Sequence, residues 1–227
     1  MRKLNYYGIS YSVDKKVTGS KDSQIINFID PENNNPERMS TYSYIGLDHI
    51  NPNLDFSKFK ADGKAIMTDV LSSNFFSSYL IISERFKNFL EEFDLSNIRF
   101  LEITVTKNNE KYTYYIVSCI EDVEIVNFSQ SSFIGDNSSP ALRKGGNVIK
   151  TDSYEDYSKK STEIWHEKGF GFVLVPIKVT LNYNSDMIKF PLGTGLLISE
   201  KVKEKIEKEK LTGVVIEKSD IEFFVND

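Results

Sequence analysis

The sequence predicts an α+β fold with mixed or antiparallel sheets, built on two related helix–strand units at residues 80–101 and 196–217. Three observations predict it. Leu80-Ile81-Ile82-Ser83-Glu84 returns as Leu196-Leu197-Ile198-Ser199-Glu200, and Lys87/Lys203, Glu91/Glu207 and Leu95/Leu211 are identical pairs at the same offset. Each copy then runs from an amphipathic stretch through Asn97 or Gly213 into a β-rich run. Sixteen Phe and twelve Tyr favour strands. Similarity at a fixed offset marks repeated units, so an internal duplication is expected.

Taken in order, residues 4–13 and 25–29 read as strands. Asp30-Pro31-Glu32-Asn33-Asn34-Asn35-Pro36 is a loop dense in turn formers. Residues 39–59 carry no clear period and are broken by Asn51-Pro52-Asn53. Thr68-Asp69-Val70-Leu71 leads into the first unit and is echoed by Ser185-Asp186-Met187-Ile188 before the second. Ser83 and Ser199 are N-caps, whose hydroxyls accept from an orphan N–H of the first turn. Glu84 and Glu200 suit the positive end of the helix dipole. The first helix is expected to run on to Leu95, with Phe86, Phe89, Leu90 and Phe93 as its apolar stripe. The second keeps Val202 and Ile206 on that stripe, and Glu204 is spaced to pair with Lys208. Asn97 and Gly213 tolerate the left-handed conformation and are expected to close the two helices.

Residues 98–105 and 111–120 are strands joined by a hairpin at Lys107-Asn108-Asn109-Glu110. Residues 123–128 continue the apolar signal. Residues 129–160 are rich in Ser, Asp, Gly and Lys and read as loop, with a short helix at 158–168. Residues 170–175 and 177–181 are strands, with an edge or bulge at Pro176. The expected organisation is an N-terminal lobe at 1–128 with the first unit, a loop-rich insertion at 129–165 and a C-terminal lobe at 166–227 with the second, forming one compact domain or two intimate lobes.

Hydrophobic and charged contents of 40% and 27% are those of a soluble globular chain, and the net charge of −5 disfavours nucleic acid as a partner. One Cys permits no intrachain disulfide and fits a reducing compartment, so a cytoplasmic location is expected. The first residues lack the apolar core of a secretion signal, and no apolar run is long enough to span a membrane.

Chemistry-bearing patterns are sparse. Cys119 with His166 or His49 would be the material for a nucleophilic, hydrolase-like enzyme, as would a carboxylate cluster. Ile116, Val117 and Ile120 give Cys119 the setting of a core strand residue instead. Two histidines without ligand spacing imply no metal site. Gly193-Thr194-Gly195 has Ile198 where a dinucleotide fingerprint needs glycine, so no cofactor is expected. The candidate partner surface lies in 129–165. Tyr154, Tyr157 and Trp165 are of the types enriched in hot spots, and Asp152, Glu155 and Asp156 would steer a basic partner.

The segment from Leu196 through Leu211-Thr212-Gly213-Val214, with Tyr114-Tyr115-Ile116-Val117 and Val123-Glu124-Ile125-Val126-Asn127, resembles a bacterial immunity-protein family. Its members accompany toxins of polymorphic and type VI secretion systems. The family usually has Asp where this chain has Asn127. The resemblance implies a cytoplasmic, non-catalytic antidote that covers the working surface of a cognate toxin.

Overall fold

A computed structural model describes residues 1–21, 23–28, 58–73, 79–95, 97–119, 122–193 and 195–226. The expected loop at 30–36, most of the 39–59 stretch, His49, Thr194 and the side chain of Cys119 lie outside what is described. In chain order the elements are β1 (Arg2–Leu4), β2 (Tyr6–Tyr11), α1 (Lys15–Thr18), β3 (Ile25–Phe28), β4 (Lys58–Ala61), β5 (Val70–Leu71), β6 (Leu80–Ser83) and α2 (Glu84–Leu90). There follow β7 (Ile98–Lys107), β8 (Glu110–Cys119), β9 (Val126–Asn137), β10 (Val148–Ile149), α3 (Tyr154–Lys168) and β11 (Phe172–Leu181). The chain ends with β12 (Met187–Phe190), β13 (Gly195–Ser199), α4 (Glu200–Glu209), β14 (Val214–Lys218) and β15 (Glu222–Val225).

The protein is α+β, with three sheets ordered β1-β15-β11-β9-β10, β12-β13-β2-β14 and β3-β4-β7-β8-β6-β5. Two are mixed, since β11 runs parallel to β15 and β4 to β7. The β7–β8 hairpin turns at Asn108 and Asn109, both left-handed (φ 49° and 70°), as a two-residue turn between twisted strands requires. The six-stranded sheet curls until its end strands meet: Ile25 bridges Ser73, and the Ile25 N–H donates to Ser72 O at 3.0 Å. Ile81, Ile103, Val105 and Ile116 fill its interior. The four-stranded sheet is covered on both faces. Ile9, Met187 and Ile198 pack towards the two unit helices, and Tyr6, Ile188 and Leu197 pack towards the five-stranded sheet.

The segments at 80–101 and 196–217 are each strand, helix, strand, and they carry the same contacts. Ser83 Oγ donates to Asp69 Oδ1 at 3.0 Å and accepts from Phe86 N–H; Ser199 Oγ donates to Asp186 Oδ1 at 2.8 Å and accepts from Val202 N–H. The Ser83 N–H donates to Asp69 O, and the Ser199 N–H to Asp186 O. Opposite Ser83 stands Tyr114, whose hydroxyl donates to Thr68 O at 2.9 Å; opposite Ser199 stands Tyr6, whose hydroxyl donates to Ser185 O at 2.6 Å. Burial raises the pKa values of both phenols, that of Tyr6 to about 12. Lys87 Nζ sits 5.3 Å over Tyr115 and Lys203 Nζ 5.4 Å over Tyr7. The Tyr-Tyr strand follows the first unit in sequence but precedes the second by most of the chain.

The units also grip each other. Asp69 accepts from the Thr212 N–H (2.8 Å) and hydroxyl (3.0 Å), just past α4. Asp186 accepts from the Asp94 N–H (3.2 Å), just past α2. Arg85 joins Asp69 to Glu209 O at the end of α4. Phe86, Phe89 and Leu90 share one core with Val202 and Ile206, and Phe93 is partly buried against it.

Four expectations change. The first helix stops at Leu90 instead of Leu95, because Asp94 gives its N–H to Asp186 and its carbonyl to the Asp186 N–H and the Ser185 hydroxyl. Tertiary hydrogen bonds thereby replace the last helical turn. Asn97 (φ 68°) and Gly213 (φ 78°) are left-handed but do not cap the helices. The second helix closes on Lys210, and Gly213 serves a close approach, since a Cβ there would lie 2.2 Å from Val70 O. The 129–165 span, read as loop-rich, opens with most of the twelve-residue β9 and closes with the first three turns of α3. In place of the expected Glu204–Lys208 pair, the ion pairs along α4 join Lys203 with Glu207 and Lys205 with Glu209, and Lys205 also reaches Glu92.

Candidate functional site

Helix α3 lies on the five-stranded sheet and carries the predicted partner residues. Ser153 caps it, accepting from the Asp156 N–H at 3.2 Å. The Ser153 hydroxyl beside Glu155, and Lys160 beside Asp156, lower the pKa values of those carboxyls. The helix sits close to the sheet where β9 has Gly135, whose Cβ would fall 2.9 Å from Ile164 Cδ1.

The six predicted residues divide. Tyr157 turns inward: its hydroxyl donates to Leu174 O at 2.8 Å, and its ring centroid lies 5.1 Å from Phe133 and 5.9 Å from Phe128. Burial pushes its phenol up to about 12. Tyr154 stacks on Tyr157 at 6.3 Å yet remains exposed. Trp165 is exposed too, with the His166 ring 4.6 Å away. Helical spacing puts Tyr154, Ser158, Thr162 and Trp165 on one outward face, and the exposed Asp152 and Glu155 stand at its start. Asp156 is spent on the helix start, accepting from the Asp152 N–H and pairing with Lys160 at 2.8 Å.

The charges sort by side. Lys160 Nζ donates to Lys150 O and Lys168 Nζ to Gly135 O, so both cations bend onto the sheet. Glu155, Glu163 and Glu167 stay exposed, with Lys159 as the counter-charge among them. The outward face of α3 is acidic with an aromatic at each end.

At the sheet end below α3, Asp136 accepts from the N–H groups of Asn137, Lys144 and Gly145 at 2.7–2.8 Å. These bonds hold its carboxyl below the usual carboxylate range and fasten the 138–147 loop. A recess elsewhere, lined by Arg2, Lys3, Asp186, Glu200 and Lys201 among others, has its lysines paired: Lys201 with Asp186 at 3.3 Å and Lys3 with Glu222 at 2.6 Å.

Cys119 ends β8 with its backbone opposite Ile98, and His166 is exposed on α3. Among the described residues no group of three or more His, Cys, Asp and Glu is placed to hold a metal ion. Among them, too, no helix is long and apolar enough to cross a membrane.

Sequence reasoning missed Phe170, taken as the start of a strand. It is 95% exposed in the turn after α3, between Gly169 (φ 92°) and Gly171 (φ 89°). The signal available was the Gly-Phe-Gly tripeptide directly after a helix pattern.

The scaffold is thus an α+β protein that presents an acidic, aromatic helix face. The chain belongs to the immunity protein family Imm11, which it matches over residues 22–159, more than half its length. That span includes Tyr114-Tyr115 and Asn127 and ends before the Leu196–Val214 segment that also carried the resemblance. No curated protein matches the chain.

Proposed function

We propose that this chain binds a cognate toxin and neutralises it by covering its working surface, without chemistry of its own. Membership of an immunity family carries the reading. The contact surface is the outward face of α3, through Asp152, Tyr154, Glu155 and Trp165, with Asp156 ordering the helix start and Tyr157 seating the helix on the sheet. The acidic face suits a basic toxin, by complementarity of potential. The toxin belongs to a polymorphic or type VI secretion system, and the protein meets it in the cytoplasm. The paired Ser, Asp and Tyr contacts support descent of the two helix–strand units from an internal duplication. Relatives in which one unit lacks the Ser–Asp pair and its Tyr partner would count against that descent.

The test is co-expression. Cells producing the toxin encoded beside this gene grow when the chain is produced with it and die when it is absent. Equal killing in both cases overturns the proposal.

A further inference from the structure

The turn after α3 displays an apolar side chain that the fold does not use. Phe170 is 95% exposed; among the described residues the next most exposed large apolar side chains are Val13 at 67% and Met1 at 66%. The exposure is built into a braced turn. The Gly169 N–H donates to Trp165 O at 2.8 Å, the Phe172 N–H to Gly169 O at 3.3 Å, and the Ser138 N–H to Gly171 O at 2.8 Å. Left-handed glycines on both sides allow this path, and their own Cβ positions are uncrowded: nothing lies within 4 Å at Gly169, and Asn137 Nδ2 lies at 3.6 Å at Gly171. Glycine is therefore required there by the backbone conformation and not by packing.

The surroundings extend the same character. The 138–142 turn, tied to Gly171 through Ser138, carries Leu142 at 61% exposure, and Trp165 stands one turn back on α3 at 45%. The flanking helix face bears the exposed Glu163 and Glu167, while Lys168 is drawn inward to Gly135 O. An aromatic on a braced backbone has less freedom to lose on docking than one on a loose loop, and aromatic anchors dominate interface energies.

We infer that Phe170 is an anchor which enters an apolar pocket on the toxin, rimmed by basic side chains that face Glu163 and Glu167. This rests on the reading of the α3 face as the toxin-binding surface. It adds the residue that holds the complex together, with the exposed Leu142 and Trp165 as further apolar contacts. The acids govern how fast the partners meet, and Phe170 governs how slowly they part.

The experiment is a kinetic binding titration with the purified toxin domain encoded beside this gene, at low and high salt. Four proteins are compared: wild type, Phe170→Ala, Phe170→Leu and the triple variant Glu155→Lys, Glu163→Lys, Glu167→Lys. Phe170→Ala is expected to keep the wild-type thermal midpoint and to lose at least tenfold in affinity, chiefly through faster dissociation. Phe170→Leu keeps most of the affinity. The triple charge variant associates more slowly and loses its salt dependence. Wild-type affinity in Phe170→Ala with a weakened charge variant overturns the anchor and leaves the α3 face standing. Unchanged affinity in both variants overturns the anchor together with that face, and no binding by the wild type overturns the proposed function as well.

Discussion

Asp69 shows how much one buried carboxylate can organise. It is 8% exposed and accepts from the Ser83 hydroxyl, the Thr212 N–H and hydroxyl, and Arg85, so it links the start of one helix to the end of the other. An amide at this position keeps the size but turns one acceptor into a donor, leaving a buried N–H without an acceptor. Hydrogen bonds to charged groups contribute about 1.5–3 kcal/mol each, and an unsatisfied buried partner costs about 1–3 kcal/mol. Asp69→Asn is therefore expected to lower stability by about 3 kcal/mol, read as a drop in the urea midpoint with an unchanged slope. A midpoint within experimental error of wild type would show that these contacts are replaced by solvent at no cost.

At the scale of elements, α2 is a seven-residue helix that lives by its buried face. Phe86 and Phe89 are 0% and 3% exposed, with ring centroids 5.6 Å apart. Phe89→Ala should cost about 3–5 kcal/mol, the usual range for emptying an aromatic core position, with denaturant unfolding as the readout. That helix and its partner were legible in the sequence because capping and amphipathic spacing are local: Ser83 and Ser199 each cap an N–H three residues on, and the apolar stripe shows as a 3.6-residue period whatever it packs against. The strand β9 was not legible. Its Ser129, Gln130, Ser131, Ser132 and Gly135 look like loop, yet Ser131 accepts from the Thr180 N–H at 3.1 Å and Phe133 is fully buried between β11 and α3. Polar residues become strand there through pairing with segments far away in the chain. The same reason hid the Tyr6–Tyr7 counterpart of Tyr114–Tyr115, which comes from the other end of the sequence. At the candidate site, Tyr154 and Trp165 were readable as exposed aromatics. The inward turn of Tyr157 depends on where the sheet lies, and Phe170 depends on the path of a turn, so neither was readable.

The whole molecule is held by cores that cross the lobes expected from sequence. The core between the unit helices takes Val70, Leu80, Phe86 and Val117 from the first half and Met187, Ile198, Val202 and Ile206 from the second. The core beneath α3 takes Tyr6, Phe128 and Phe133 together with Leu174, Leu197 and Phe223. The family match runs from residue 22 to residue 159, inside α3, and so leaves out half of the buried residues of the first core and ten of the fourteen of the second. A chain cut there would expose the Phe86 and Phe89 face to water and leave Asp69 without Thr212. Burying apolar surface is the main force for folding, and neither half holds a complete core around the unit helices. The full chain is therefore expected to unfold in one transition, with coincident midpoints by Trp165 fluorescence, which reports on α3, and by far-ultraviolet circular dichroism, which reports on all elements. The 1–159 fragment should show no cooperative transition. Two separated midpoints in the full chain, or a sharp melt of the fragment, would mean that the halves are independent folding units and that the reciprocal Asp69 and Asp186 contacts join domains already formed.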